Sequence, residues 1–224
     1  GTFSALVTDY LAQNEKLKPF LAHQPNFTGI QQAIAARSGF DTPRQMLHDV
    51  LIQQYKGYQL QPKQQMHMKA LLQPNSFTIV TAHQPNLFTG PLYFIYKILH
   101  AIKLADELSL QMPEYHFVPV YYMGSEDADL DELGNFTAAG TTYTWKTDQK
   151  GAVGRMQTDG IAELIELIKG RFGFLPYGQK MVALLENAYH NNNRIQEATL
   201  GLVHELFADF GLLVIIPDHP ALKR

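Results

Sequence analysis

The strongest constraint on this chain is a change of pattern, from a continuous strand-like run to helix spacing and back to strand character, within residues 77–123. Residues 77–82, Phe-Thr-Ile-Val-Thr-Ala, are a short run of β-branched and apolar side chains, which predicts a strand buried on both faces. Residues 91–109 switch to helix spacing, with Pro91 at the first helical position, where a missing N–H does no harm. "YHFVPVYYM" at 115–123 returns to strand character, and Pro119 within it predicts an edge position or a bulge. Strand, helix and strand in this order form a βαβ unit, which implies a parallel pair and a right-handed crossover. "FTAAGTTYTWKT" alternates like exposed β-structure, in a hairpin with the residues after it, and Trp145 is expected in the core. Residues 159–171 and 178–210 read as helices, and "GLLVIIP" at 211–217 as another fully buried strand. The sum is an α/β fold, a mostly parallel sheet with helices on its faces.

Ahead of this core, residues 3–18 and 30–56 read as helical, with Ile30, Ala33, Ile34, Leu47, Val50 and Leu51 at helix spacing and a break near "SGFDTPR". "KGYQLQPKQQMHMKALLQPNS", rich in Gln and carrying two prolines, reads as a linker. The expected organisation is therefore a helical N-terminal segment, 1–76, packing on an α/β core, 77–224. Composition is that of an ordinary globular protein, 46% hydrophobic and 17% charged. A net charge of −3 gives no electrostatic footprint for nucleic acid. Cysteine is absent, which removes disulfides, Cys-based zinc sites and a thiol nucleophile, and fits a cytoplasmic location. No apolar run reaches the roughly 18 residues of a membrane helix, and no signal-peptide pattern opens the chain. Gly1 in place of Met reads as a processed or engineered boundary, and a chain stopping just past a strand reads as a fragment.

The loop after the first strand, "TAHQPNLFTGPLYFIYK" at 81–97, is the first candidate site. In open α/β sheets ligands sit beyond the carboxyl ends of strands, and a helix N-terminus offers free N–H groups and a positive dipole end to an anion. His83 supplies an acid or base, Gln84 and Asn86 supply amides, and Gly90 permits close approach of a ligand to the backbone. Thr89 can cap the helix or bond a ligand oxygen. Lys97 lies about 9 Å along the axis from Pro91 and can reach back toward the loop, with Tyr93 on nearly the same face. The competing account makes these turn and cap residues. The pattern lacks the glycines of a P-loop or a dinucleotide fingerprint. A near copy, "AHQPNFTG" at 22–29, comes after a polar helical stretch rather than a strand, and is read as incidental.

The second candidate is "GSEDADLDE" at 124–132, which packs Glu126, Asp127, Asp129, Asp131 and Glu132 together at the end of the next strand. Carboxylates this close resist ionising together, so raised pKa values, a shared cation or a substrate ammonium are the alternatives. The spacing lacks the Gly and bidentate Glu of an EF-hand loop, and no metal is assigned. Glu126 and Asp127, nearest the strand, are favoured as functional; Asp131 and Glu132 are favoured as solvated helix-start residues. Arg155, in the Gly-rich "GAVGRM", is a candidate carboxylate or phosphate clamp against a structural turn. His219, after the last strand, is a further candidate facing a ligand.

"HQPNLFTGPLYFIYKI", "FVPVYYMGSEDADLDEL", "GAVGRM" and "LFADFGLLVIIPDHPALKR" together resemble the bacillithiol synthase family, well over 77–224 and loosely before it. The resemblance implies a Rossmann-like core, an extension with a dimerising coiled coil in the full-length proteins, and addition of cysteine to glucosaminyl-malate as the last step of bacillithiol synthesis. It implies that His83, Gln84, Asn86, Thr89, Gly90, Tyr93 and Lys97 line the active pocket, with Glu126, Asp127 and Asp129 opposite; of these, His83, Glu126 and Asp127 are the expected catalytic residues, one of them taking the proton from the attacking amine. Amide formation needs an activated carboxylate, so a nucleotide such as ATP is a chemically reasonable co-substrate. Ala82 stands where the family has Gly, and Ala128 where it has His. Two other functions stay open on the residues alone. One is a non-catalytic nucleotide- or sugar-acid-binding module, the other a metal-dependent hydrolase using the acids of 126–132.

Overall fold

The computed structural model describes residues 3–223; Gly1, expected to be a processed boundary, Thr2 and Arg224 lie outside the described residues. Two compact units divide between Pro43 and Arg44. The first holds α1 (Ala5–Leu11), a 3-10 turn at Glu15–Phe20 and α2 (Phe27–Ser38). Each starts on a side-chain cap, from Ser4, Asn14 and Asn26 respectively, which satisfies an N–H that the helix itself cannot.

The second unit begins with α3 (Arg44–Gln54) and α4 (Pro62–Ala70). The stretch expected to be a linker thus contains a helix, with Pro62 in its first turn and Gln64, His67 and Met68 buried. The polar letters misled because Gln64 and His67 face inward and bond main-chain groups. By their contacts, α3 and α4 belong to the compact unit that carries the sheet.

That sheet has the order β1-β2-β5, all parallel, from β1 (Ser76–His83), β2 (His116–Met123) and β5 (Leu213–Ile215). Two expectations are reversed. β1 is an edge strand with Thr78, Val80 and Ala82 exposed, not a strand buried on both faces. β2, despite Pro119, is the central strand and pairs without a bulge, Ile79 opposite Pro119. The reason is parity. Even-numbered residues flanking and within β2 turn their N–H to β1, as His116 does to the Asn75 carbonyl and Gly124 to that of His83. Pro119 faces the other side, where β5 begins only opposite Val120, so its missing N–H leaves no acceptor unserved.

The crossover is α5 (Tyr93–Gln111), which buries Phe94, Ile98, Ala101, Ile102, Ala105 and Leu108 at helix spacing. It starts two residues later than expected, because Phe88, Thr89 and Gly90 all have positive φ and Pro91 is still in a turn. After β2 come a single helical turn, α6 (Leu130–Leu133), and the hairpin β3 (Asn135–Ala138) and β4 (Thr141–Thr144). Ala139 and Gly140 close it with φ of 47° and 75°, the double positive φ of a type I′ turn, so the hairpin folds on itself rather than on the residues after it.

The expected helix over 178–210 is two, α8 (Gly178–His190) and α9 (Ile195–Phe207), with α7 (Ile161–Phe172) before them. The Asn191-Asn192-Asn193 run breaks it, since Asn competes with helical hydrogen bonding; Asn192 instead bonds the Ala188 carbonyl. Two apolar clusters result, one around the sheet and one under α7 to α9 that includes Trp145, as expected. α9 feeds both, Leu200, Val203 and Phe207 to the first and Ile195, Ala198 and Leu202 to the second. A helix buried all round is the consequence.

Candidate functional site

β1 and β2 end in register, His83 opposite Met123. Beyond them opens a cleft of about 440 Å³ walled by His83, Gln84, Gly124, Ser125, Glu126 and Asp127, among others. The two strand ends are tied by Tyr121, fully buried in the centre of the sheet, whose hydroxyl donates to the His83 carbonyl at 3.0 Å. Burial pushes the Tyr121 phenol far above its ordinary range, so it stays a neutral donor.

His83 is 8% exposed and makes two hydrogen bonds. Nδ1 lies 3.1 Å from the Gln84 carbonyl and Nε2 2.9 Å from the Tyr93 hydroxyl. A carbonyl only accepts, so Nδ1 carries the proton; in the neutral ring Nε2 then accepts from Tyr93. The ring meets Phe94 edge-on at 5.5 Å, which fixes its plane. Tyr93, 49% exposed, is thus the solvent-facing end of a Tyr–His pair.

Opposite, the Gln84 side-chain amide donates to Asp127 Oδ2 at 3.1 Å and the Asp129 N–H to Oδ1 at 3.1 Å. The Gln84 amide first, then these backbone N–H groups, hold the Asp127 carboxyl below the usual carboxylate range. The expectation that crowding would raise pKa values in this block is therefore reversed at Asp127. The acids are dispersed rather than pooled. Glu126 pairs with Lys223 at 2.5 Å and Arg155 at 3.5 Å. Asp129 caps α6 by accepting from the Glu132 N–H at 3.1 Å, and Asp131 and Glu132 fill that helix's first turn. Among the described residues, no group of three or more His, Asp and Glu side chains is arranged to hold a metal ion.

Other candidates are divided differently from what their spacing suggested. Lys97 does reach back, but its ammonium donates to the Ala82 carbonyl at 2.5 Å. Thr89 does not cap α5, which has no side-chain cap. Thr89 and Gly90 instead line a separate apolar cavity of about 320 Å³ with Phe88, Phe136 and residues of α7 to α9. Asn86 is buried between strand and helix, its Oδ1 without a partner among the described residues. The loop is strained: Phe88 and Thr89 hold φ of 52° and 78°, kept there by the Phe88 N–H on the Tyr189 hydroxyl and by edge-on packing of Phe88 against Phe136 and Tyr189. Burial pushes the Tyr189 phenol up to about 12.

Arg155 does clamp a carboxylate, the chain's own. Its Nε and a terminal nitrogen meet both oxygens of Asp218 at 2.5 and 2.6 Å, and Lys223 adds a third contact at 2.7 Å. Arg155 above all holds Asp218 far below the ordinary carboxylate range. His219 lies outside the cleft, in a different cavity beside Tyr58 and Gln196, and its Nδ1 accepts from the Ala221 N–H. Sequence reasoning missed Tyr121, Ser125 and the Asp218–Lys223 pair. Ser125 could have been suspected from "GAVGRM": Gly154 packs so closely that a Cβ there would lie 2.5 Å from the Ser125 carbonyl oxygen. Nothing in the sequence marked Tyr121 apart from its strand neighbours.

Over residues 1–224 the sequence matches the family model described as bacillithiol biosynthesis BshC, N-terminal Rossmann-like domain. Similar curated proteins carry the name "Putative cysteine ligase BshC". The one from Cytophaga hutchinsonii is 40% identical over 222 residues, which is 99% of this chain and 41% of that protein. The one from Flavobacterium johnsoniae is 37% identical over 226 residues, 100% of this chain and 43% of that protein. The chain thus spans about two fifths of the length of these relatives.

Proposed function

The chain belongs to the bacillithiol biosynthesis BshC family, as its N-terminal Rossmann-like domain, and on that premise we propose that its cleft serves a ligase that joins the cysteine carboxyl group to the amine of glucosaminyl-malate. The observation that carries the reading is His83, its proton positions fixed by the Gln84 carbonyl and the Tyr93 hydroxyl, lining one cleft with the ionised Asp127. Amide formation makes one C–N bond, expels the group that activates the carboxyl carbon and sheds a proton from the attacking amine. Tyr93 takes that proton on its oxygen while passing its own to His83 Nε2, and the imidazolium so formed is held by the Gln84 carbonyl at Nδ1. Asp127, held ionised by Gln84, suits the substrate ammonium before attack better than it suits the role of base. Glu126, engaged by Lys223 and Arg155, orients the mouth of the cleft rather than moving a proton.

The carboxyl carbon must be activated, and a phosphoryl donor such as ATP is the activation the chemistry favours. The residues present do not fit a phosphate cradle around this cleft. Lys97 holds the Ala82 carbonyl, and Arg155 and Lys223 hold Asp218 and Glu126. Bacillithiol content of a deletion strain carrying the full-length gene tests the reading. His83→Ala should abolish the thiol, and normal thiol from that strain would overturn the assignment; normal thiol from Lys97→Ala would remove Lys97 from the site.

Ala128, exposed beside Asp127 where the family resemblance places a His, favours a second reading, a module that binds the sugar acid without turning it over. Calorimetry with glucosaminyl-malate separates the two. Binding by both the natural full-length protein and its Ala128→His variant, with turnover by neither, would establish the binding module.

A further inference from the structure

One face of β2 changes its surroundings within two residues. Val118 and Val120 are fully buried, yet Tyr122, next along the same face, is 42% exposed. Its chain neighbours Tyr121 and Met123, on the opposite face, are fully buried. The cover of the sheet therefore stops between Val120 and Tyr122, and the ring that emerges lines the cleft with His83, Gln84 and Asp127. Tyr122 belongs to neither apolar cluster. Its ring is not spent on holding the fold.

The residues beside it leave the ring open to a ligand. In the parallel register, Ala82 of β1 and Ile215 of β5 stand level with Tyr122 on the same face. Ala82 offers one methyl group, and Gly124, two residues beyond Tyr122, offers no side chain. Tyr122 is thus the broad apolar surface in a lining of small residues, the Gln84 amide and the carboxylates of Glu126 and Asp127. Such a lining fits a ligand with one flat face of C–H groups and hydroxyl or ammonium donors at its rim. A pyranose ring is built in this way, and the negative face of an aromatic ring attracts polarised C–H groups. A nucleobase is flat too, but it brings phosphates, and the cations nearest this cleft are already engaged by Ala82, Glu126 and Asp218.

We propose that Tyr122 is the platform on which the pyranose ring of an amino sugar stacks, C–H face to aromatic face, with the amino group turned to Asp127. The proposal rests on the amino-sugar substrate put forward above and names the residue that selects it. Two contacts of different chemistry fix the ligand: the aromatic face sets the plane of the sugar, and the ionised carboxylate sets its rotation within that plane. An open-chain amine of the same polarity has no such face and gains only the carboxylate contact. No bond forms or breaks at Tyr122; its part is binding and orientation, which decides which amine reaches the reacting carbon.

Ligand-observed NMR with the natural full-length protein and glucosaminyl-malate reads the stacking directly, because an aromatic face moves the protons above it upfield. The pyranose C–H protons should shift upfield on binding, and the malate protons should not. Tyr122→Phe keeps the face and should keep these shifts. Tyr122→Leu keeps apolar bulk without a ring; it should lose them and raise KM for the amino sugar about 3- to 10-fold, with KM for cysteine unmoved. Absent shifts with the natural protein, shifts that survive Tyr122→Leu or vanish in Tyr122→Phe, or adenosine protons shifted in place of the sugar's would each overturn the proposal. The natural protein and Tyr122→Phe decide the matter even where Tyr122→Leu fails to fold. Pyranose shifts without turnover would remove the ligase reading and leave the platform standing. Turnover with an unaltered KM in Tyr122→Leu would remove the platform and leave the ligase.

Discussion

At His83 the direction of two hydrogen bonds decides what the ring can do. A proton held on Nδ1 by a carbonyl leaves Nε2 as the only basic nitrogen, and that nitrogen meets Tyr93 rather than solvent. If the full-length protein has the proposed ligase activity, His83→Ala should therefore lower its kcat by about 10²- to 10⁴-fold. Tyr93→Phe should lose most of the same factor although the imidazole remains; an unchanged kcat for Tyr93→Phe would show that the amine reaches His83 directly. Gly90 sets a second residue-level constraint. With φ of 62° and an ideal Cβ 2.6 Å from that of Asn86, it admits no side chain. Gly90→Ala should cost about 1–3 kcal/mol of stability in denaturant melts. The letters His-Gln-Pro-Asn occur twice and make the same tight turn twice, the Asn N–H reaching the Gln carbonyl at 2.8 Å in the first copy and 3.0 Å in the second. Local sequence thus fixed the turn. Only the preceding strand, and the extra Leu87 that shifts Asn86 from helix cap to buried residue, separate the two outcomes.

At the scale of elements, α4 shows how a polar-looking segment becomes core. His67 Nδ1–H donates to the Gly211 carbonyl at 2.6 Å, and Gln64 to that of Leu212, so the helix closes the entry to β5. His67→Ala leaves that carbonyl buried and unserved and should cost about 1–3 kcal/mol. Burial pushes the pKa of His67 below its ordinary value, and does the same to His204 on α9. A histidine kept neutral in the fold takes up a proton more readily when unfolded, so its contribution is complete above about pH 6.5 and is lost as pH falls below that. The denaturation midpoint should decline from near pH 6.5 downward, and the decline should be shallower in His67→Gln; a slope identical to the natural chain would exclude His67 as its source. α4 was illegible in the sequence because its apolar stripe is weak, and amide side chains that bond buried main-chain groups look the same as solvated ones until their partners are placed.

At the scale of the molecule, α9 joins the sheet cluster to the cluster that holds Trp145, the single tryptophan. Residues 44–223 should therefore unfold as one cooperative unit, with Trp145 fluorescence and far-ultraviolet circular dichroism giving coincident transitions. Leu202→Ala should cost about 2–5 kcal/mol and shift both probes together; transitions that separate would show that the two clusters unfold independently. The sequence by itself determined the βαβ unit, the loop carrying His83 and Gln84 at a strand end, and the fold class. Each of these depends on periodicity or on near neighbours, which are local properties of the chain. It did not determine which strand is central, where the acids at 126–132 go, or that Thr89 and Gly90 face an apolar cavity while Gln84 faces Asp127. Those outcomes depend on partners far along the chain, Leu213 for β2, Lys223 for Glu126 and Tyr189 for Phe88. A side chain's charge and shape can be read from its letter, but the group that satisfies it is chosen only when distant segments meet, because burial makes an unpaired polar group costly and the tertiary structure alone supplies the pair.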